Sequence, residues 1–235
     1  MRLTIDPRVY KLFPASVQYT LVVKGLDNTG ESPKLLARLR AAEARVRADA
    51  AFADWKAHPK VAAWRDAFAL FGFNANKCPP SVANLIKRTR AGKDLPFVNK
   101  LVCIFNIISL ENILPAGADD LAALTGDLVL GPATGAETYI PLGGGEPEKP
   151  LPGEIILYDT GNNTVFCRAW CWKNGDASKV LETSRDVSIN IDILPPVREE
   201  EGRAAADSLV ALVREYCGGQ AQLFRLAAGN NSLEW

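Results

Sequence analysis

The chain has 235 residues, of which 48% are hydrophobic and 23% charged, and 27 basic residues balance 27 acidic ones. This composition is typical of an ordinary globular protein that buries a sizeable core. No apolar run reaches the roughly 18 residues of a membrane-spanning helix, and the N-terminus carries charges and a proline where a signal peptide is apolar. We therefore expect a cytoplasmic protein.

Cysteine and histidine usage limits the chemistry that the chain can perform. Its five cysteines are scattered without a C-x-x-C pair, and His58 is its only histidine. We therefore expect reduced thiols, no metal site and no cofactor. A catalytic triad would depend on His58, which precedes a proline between two predicted helices, so we do not expect one.

The neutral net charge hides an uneven distribution along the chain. Residues 34–100 hold 14 lysines and arginines and 5 acidic residues, a net charge of +9, whereas residues 101–235 have a net charge of −10. A basic first part fits a polyanionic partner. The alternative is that these charges are solvated faces of helices.

The first predicted elements are a strand and three helices. The strand begins at Gln18 and ends near Leu26, before an Asn-Thr-Gly turn. Ser32 and Pro33 are typical of a helix start, and apolar residues at three- and four-residue spacing predict a long helix over residues 33–57. Two further helices are predicted to end at the glycines of residues 72 and 92.

The rest of the chain is predicted to be rich in strands. An apolar segment, residues 101–114, contains Asn106 and Ser109, whose buried polar groups need partners in the protein or in a ligand. Short strands are predicted over residues 126–133, 138–142, 153–161, 164–175, 187–193 and 220–227. A helix precedes the last of them, over residues 199–219.

This order of elements predicts an α+β fold, or a three-layer α/β fold, with mixed sheets flanked by helices. We expect one domain over residues 1–235. Within it, residues 31–95 form a mainly helical basic part and residues 96–235 a strand-rich part with the pocket.

Three consecutive glycines, Gly143, Gly144 and Gly145, precede Glu146. No G-K-[ST] and no helix pattern follow them, and a neighbouring carboxylate would repel a phosphate, so this is not a phosphate-binding loop. A flexible linker and a binding loop are the remaining interpretations. Strand-like sequences on both sides favour a binding loop, in which the carboxylate would hold an amine, a hydroxyl or a water.

Four motifs in order carry a resemblance to a known family. They are Asn-x-x-Ser-Leu from Asn106, Gly-Asp at residues 126–127, the Leu-Gly-Gly-Gly-Glu-Pro loop, and Arg-x-Trp-x-Trp from Arg168. Over roughly residues 77–196 the chain resembles the B3/B4 domain, the editing domain of the bacterial phenylalanyl-tRNA synthetase β subunit. That domain also exists as freestanding proteins, and the chain is more similar to these.

The resemblance implies a three-layer α/β domain that hydrolyses a mischarged aminoacyl-tRNA. It implies that Glu146 is the catalytic residue and that the glycines form a wall of the pocket. The other substrate-binding residues are expected to be Asn106, Ser109, Arg168, Trp172 and Thr183. An aminoacyl ester is already activated, so orienting one water can suffice for its hydrolysis.

The chain also departs from the freestanding pattern. Cys171 stands between Trp170 and Trp172 where that pattern has asparagine, and the following turn lacks its Arg-Thr character, which leaves Lys179, Thr183 and Ser184 as polar contributors. The two tryptophans are predicted to share one face of a strand. The sequence allows two roles for these tryptophans, either as core residues or as residues that stack on a base.

Three hypotheses follow for the function. The first is a trans-editing hydrolase that binds the acceptor end of a tRNA through Lys87, Arg88, Arg90 and Lys93. The second is a non-catalytic module whose pocket binds an amino acid or a nucleotide-like ligand. The third is a general RNA-binding protein. The charge distribution and Glu146 favour the first, whereas the altered turn and the neutral net charge favour the second.

Overall fold

The computed structural model describes residues 1–235 and contains ten strands and six helices. The strands are β1 (Arg2–Ile5), β2 (Val17–Lys24), β3 (Ala116–Asp120), β4 (Leu128–Pro132), β5 (Ile155–Asp159), β6 (Thr164–Arg168), β7 (Lys173–Asn174), β8 (Val187–Ile193), β9 (Gln220–Leu226) and β10 (Ser232–Glu234). The helices are α1 (Pro7–Leu12), α2 (Pro33–Ala48), α3 (Pro59–Leu70), α4 (Ser81–Arg90), α5 (Lys100–Asn112) and α6 (Glu199–Tyr216).

The strands form two sheets. One has six strands in the order β10-β1-β4-β5-β6-β7, and the other has four in the order β3-β8-β2-β9. The six-stranded sheet is mixed, because β1 and β4 run parallel while its other pairs are antiparallel. The four-stranded sheet is wholly antiparallel. Each sheet takes strands from both ends of the chain.

The two sheets and the helices stack as three layers. One face of the four-stranded sheet presents Tyr19, Leu21 and Val23 to a core shared with α2, α4, α5 and α6. Its opposite face contributes Val22 and Leu226 to a second core, shared with the six-stranded sheet. The predicted fold class, mixed sheets flanked by helices, is confirmed.

Helix α2 begins as predicted and ends earlier than predicted. The Ser32 hydroxyl accepts a hydrogen bond from the Leu35 N–H, and Pro33 occupies the first turn. The predicted continuation to residue 57 is wrong, because Asp49 adopts an extended backbone and its carboxylate accepts the Ala51 N–H at 2.8 Å. This local hydrogen bond competes with the helical one and starts a 3₁₀ turn.

The predicted strand over residues 164–175 is also interrupted. Ala169 and Trp170 have φ angles of +45° and +61°, which ends β6 at Arg168. The Trp170 ring lies edge-on to Phe13 and Trp64, with centroids 5.2 Å away in each case. The two tryptophans therefore do not share a strand face, and Trp170 is a core residue. Residues 138–142 form only isolated bridges rather than the predicted strand.

Candidate functional site

The face of the four-stranded sheet that meets the other sheet is polar although it is buried. Gln18 lies opposite Asp192 and Thr20 opposite Asn190 in the β2–β8 register. The Gln18 amide donates to Asp192 Oδ1 at 3.0 Å, and the Thr20 hydroxyl donates to Asn190 Oδ1 at 2.8 Å. Because buried polar groups need partners, such a face either pairs internally or binds a ligand.

A cavity of about 50 Å³ lies between this polar face and the six-stranded sheet. One wall is the polar face, and the other includes Leu130 and Leu157 of β4 and β5. The remaining lining residues are Gln18, Ser81, Pro115, Ala116, Gly117, Asp119, Cys167, Trp170, Cys171, Asn174, Asn190 and Asp192. No lysine, arginine or histidine lines this cavity.

Burial perturbs the acidic groups of the cavity. Loss of solvation raises the pKa of Asp192 to about 6, against the opposing effect of hydrogen bonds from Trp170 and Gln18. It raises the pKa of Asp119 to about 7, against a hydrogen bond from the Ser178 hydroxyl. Burial raises the pKa of the Cys167 and Cys171 thiols as well, so these stay neutral at pH 7.

The glycine loop is anchored at both ends. Tyr139 and Glu148 form a bridge with backbone hydrogen bonds of 2.9 and 2.8 Å, and Pro141 is bridged to Gly175. A Cβ on Gly175 would lie 2.7 Å from the Val165 carbonyl oxygen, so the close approach requires glycine there. The loop is therefore held against the segment that follows Asn174, a residue of the cavity wall.

The tip of the loop is exposed and has an unusual backbone. Gly143, Gly144 and Gly145 have φ angles of +92°, +89° and +140°, a region that other residues rarely adopt. The Gly143 N–H donates to the Asp176 carboxylate at 2.9 Å. Glu146 follows, exposed and without an ion pair or a side-chain hydrogen bond. Its carboxylate therefore has no partner within the protein.

Arg168 ties the base of the loop to the six-stranded sheet. Its guanidinium donates to both carboxylate oxygens of Glu154 and, at 2.7 Å, to Glu148. The Phe73, Tyr139 and Trp172 rings lie around the guanidinium, 5.5 to 5.8 Å from its carbon. The donors of Arg168 are thus largely used within the protein, which makes it a support of the loop.

A sequence model of the B3/4 domain matches residues 63–218, about two thirds of the chain. The chain belongs to the B3/4 domain family. The matched residues include the glycine loop and all lining residues of the cavity except Gln18. The recognition of this family from the four motifs is confirmed.

Among solved structures, the chain is similar to an N-terminal fragment of the phenylalanyl-tRNA synthetase β-subunit from Pyrococcus horikoshii. The two are 13% identical, with a TM-score of 0.47. The alignment covers 94% of this chain and 49% of the other, so the chain spans about half the length of that fragment. No curated protein matches the chain.

The Gly-Asp motif of the B3/4 sequence has a structural role here. The Gly126 N–H donates to Asp159 Oδ1 at 2.8 Å, and a Cβ on Gly126 would lie 2.5 Å from the Gly161 nitrogen. The Asp127 carboxylate accepts the Arg2 N–H. These contacts fix the turn before β4, which places Leu130 in the cavity wall.

Three of the predicted substrate-binding residues lie apart from the loop and the cavity. Asn106 and Ser109 belong to α5, in the helical layer on the other side of the four-stranded sheet, and the buried Ser109 hydroxyl has no partner. Thr183 is exposed, beside Ser184, whose hydroxyl donates to Asp120. Arg168 and Trp172 lie at the base of the glycine loop, whereas the three glycines and Glu146 form its exposed tip.

The four predicted nucleic-acid-binding residues lie at and just beyond the C-terminal end of α4, and all are exposed. Arg88 and Arg90 donate to the backbone carbonyls of Asp94 and Arg47. Lys87 and Lys93 form no ion pair. Cations at this end of a helix also interact favourably with its dipole, so the residues have a stabilising role of their own.

The acidic and amide residues of the cavity were missed by the sequence interpretation. Gln18, Asn190 and Asp192 alternate with apolar residues in β2 and β8, a pattern that ordinarily marks a solvent-exposed face. The only signal in the sequence was that amide or carboxylate side chains occur at alternate positions of two separate strands. The second sheet, which covers them, could not be inferred from it.

No helix of the structure is long and apolar enough to cross a membrane. The structure also contains no group of three or more histidine, cysteine, aspartate or glutamate residues that could hold a metal ion.

Proposed function

We propose that this B3/4 protein binds tRNA and hydrolyses the ester of a mischarged aminoacyl-tRNA in trans. The observation that carries the proposal is the free carboxylate of Glu146 beside three glycines on an anchored loop. Bare backbone allows a substrate to approach closely, and the bridges at Tyr139 and Pro141 hold the base of the loop. The resemblance of the loop to that of the editing domain supports the same role.

The chemistry needs one oriented water. Its oxygen attacks the carbonyl carbon of the ester while its proton passes to the Glu146 carboxylate. The bond between that carbon and the ribose oxygen then breaks, and the ribose oxygen takes up the proton held by Glu146, which restores the carboxylate. General base catalysis of this kind contributes about 10²–10⁴-fold. The Cys167 and Cys171 thiols are neutral and therefore poor nucleophiles, so we do not propose a covalent intermediate on either of them.

The proposed tRNA contact is the exposed end of α4. Lys87 and Lys93 are exposed and have no carboxylate partner. The phosphates of a tRNA would supply anionic partners for them. The other end of α4 is joined to the loop support, because the Ser81 N–H donates to the Cys171 carbonyl at 2.8 Å. A ten-residue helix is about 15 Å long, so α4 links the two regions over that distance.

A second candidate function is the binding of a free small molecule without turnover. The observation that favours it is the cavity between the two sheets, which has polar lining residues and, at about 50 Å³, is too small for a nucleotide. In that case Glu146 and the cavity would hold a ligand, and α4 would be a solvated surface.

Deacylation assays on a panel of mischarged aminoacyl-tRNAs test the proposal, with thermal melting in the presence of free amino acids as the parallel measurement. We expect release of the amino acid from at least one tRNA at substoichiometric enzyme. Stabilisation by a free amino acid with no deacylation of any tRNA would contradict the proposal and favour the second candidate.

A further inference from the structure

The inter-sheet cavity has hydrogen-bond acceptors that the protein does not use. Asp192 Oδ1 accepts from the Gln18 amide and from the Trp170 indole, both at 3.0 Å, while Asp192 Oδ2 accepts from no protein group. Gln18 is only 4% exposed, and its Oε1 is fully buried with no partner. An unpaired buried acceptor costs about 1–3 kcal/mol, and a ligand in the cavity cannot reach this one because it is closed to a water-sized group.

The orientation of the Gln18 amide is fixed by its neighbour. If the amide were flipped, its oxygen would face the Asp192 carboxylate, and two acceptors would repel each other. The nitrogen must therefore point to Asp192 and the oxygen away from it. Gln18 Oε1 is fully buried, so Asp192 Oδ2 is the free acceptor that remains for a ligand in the cavity.

The charge of the cavity is also unbalanced. Asp192 is 6% exposed and no basic side chain lines the cavity with it. At pH 7.5 its raised pKa still leaves it mainly ionised, as a buried carboxylate without a counter-charge. Burying such a charge is unfavourable unless a cation or several donors accompany it.

We propose that the Gln18–Asp192 end of the cavity is a recognition subsite for a primary ammonium group of the substrate. An ammonium group brings one positive charge and hydrogen-bond donors, which suits a buried carboxylate that has one oxygen without a protein donor. About 50 Å³ holds roughly three water-sized groups, enough for the ammonium and a short stem. The subsite would restrict the substrates of the proposed deacylase to esters that carry a primary amine, so this inference rests on that proposed function.

Two sources of the ammonium share this chemistry. It is either the α-amine of an aminoacyl ester or the amine at the end of a side chain. The methyl ester of norleucine carries only the first, and the methyl ester of Nα-acetyl-lysine carries only the second. Comparing them identifies the source.

The Trp170 indole N–H is a direct reporter, because it donates to Asp192. We would titrate the protein with methylammonium chloride and follow the indole signal by NMR, assigned by the loss of one signal in Trp170→Phe. Ethanol and potassium chloride serve as the neutral and the inorganic probe. We expect a saturable shift with methylammonium and with one of the two esters only.

The variant Asp192→Asn keeps the shape and the indole hydrogen bond and removes the charge. We expect it to weaken methylammonium binding at least tenfold, whereas Asp207→Asn, on the exposed face of α6, should not change it. In the wild type, binding should weaken as the pH falls from 8 to 5. Asp119 also titrates in this range, while Cys167, Cys171 and Tyr10 stay neutral.

No saturable shift with any ammonium compound, an equal shift with potassium, or unchanged binding in Asp192→Asn would overturn the subsite. These results are separable from the proposed function. Ammonium binding without deacylation contradicts only the hydrolase, and deacylation without ammonium binding contradicts only the subsite.

Discussion

Arg168 and Glu154 form an ion pair in which both side chains are almost completely buried. Arg168 Nε lies 3.0 Å from Glu154 Oε1, and Nη2 lies 2.8 Å from Oε2. The same carboxylate accepts the backbone N–H groups of Ala169 and Leu151. One pair therefore holds the end of β6, the left-handed turn that follows it and the chain that leaves the glycine loop.

Breaking this pair from one side should be costly. We expect Arg168→Met to lower the free energy of unfolding by about 3–5 kcal/mol, because it leaves the Glu154 carboxylate buried without its partner. Urea denaturation measures the change. The matched control is Arg203→Met, which breaks an exposed pair with Asp207 and should cost less than about 1 kcal/mol. Equal losses for both variants would contradict the structural role of Arg168.

Asp119 should make the stability of the protein depend on pH. Its pKa is raised by burial to about 7 from an ordinary value of 3.8, so the folded state holds a proton that the unfolded state releases. The resulting stability is complete below pH 4 and is lost as the pH rises to about 7. The variant Asp119→Asn has no carboxyl group at this position, so its stability does not fall with rising pH for this reason.

The measurement is urea denaturation of the wild type and Asp119→Asn between pH 4 and 8. The advantage of the variant over the wild type should grow by on the order of 3 kcal/mol across this range. A constant difference between the two proteins would show that Asp119 does not titrate as described.

The backbone of the glycine loop should be needed for activity rather than for folding alone. Gly144 has a φ of +89° with open space around it, so alanine there meets no neighbour but adopts a strained backbone. Gly229 has a φ of +83°, equally open, in a turn between β9 and β10.

We expect Gly144→Ala and Gly229→Ala to lose a similar 1–2 kcal/mol of stability. Only Gly144→Ala should slow deacylation, about tenfold, because it moves the chain beside Glu146. If both variants lost activity equally, the loop would have no role beyond stability.

The end of α4 should carry the salt-sensitive part of tRNA binding. The double variant Lys87→Glu/Lys93→Glu changes two exposed lysines that have no ion pair. Lys11→Glu/Lys24→Glu makes the same change of charge at exposed residues of α1 and β2. Binding would be measured at several salt concentrations.

We expect the first variant to weaken tRNA binding at least tenfold and to flatten its salt dependence, because fewer counterions are released. The second should bind within threefold of the wild type. Equal effects of both variants would mean that α4 has no particular contact with tRNA.

Local signals in the sequence predicted much of the fold, and tertiary contacts decided the rest. Ser32 and Pro33 located the start of α2 because capping involves neighbouring residues only. The break after Arg168 was not predictable, since it depends on Trp170 reaching Phe13 and Trp64, which are distant in the sequence. The strands β1 and β10 were missed because four and three residues show too little alternation.

The candidate site, like the fold, was predicted from the sequence only in part. The glycine loop was found because three glycines before Glu146 are unusual in any local context. Asp192 was not found, because its alternation with isoleucines indicates a face toward water. That face is instead covered by the six-stranded sheet, and only the packing of the two sheets shows it.

The most direct test of the proposed hydrolase is the single-turnover rate of deacylation by Glu146→Gln, compared with Glu182→Gln, which changes another exposed glutamate. We expect Glu146→Gln to lower the rate by about a hundredfold or more while tRNA binding stays unchanged, and Glu182→Gln to match the wild type. A Glu146→Gln protein that deacylates at the wild-type rate would contradict it.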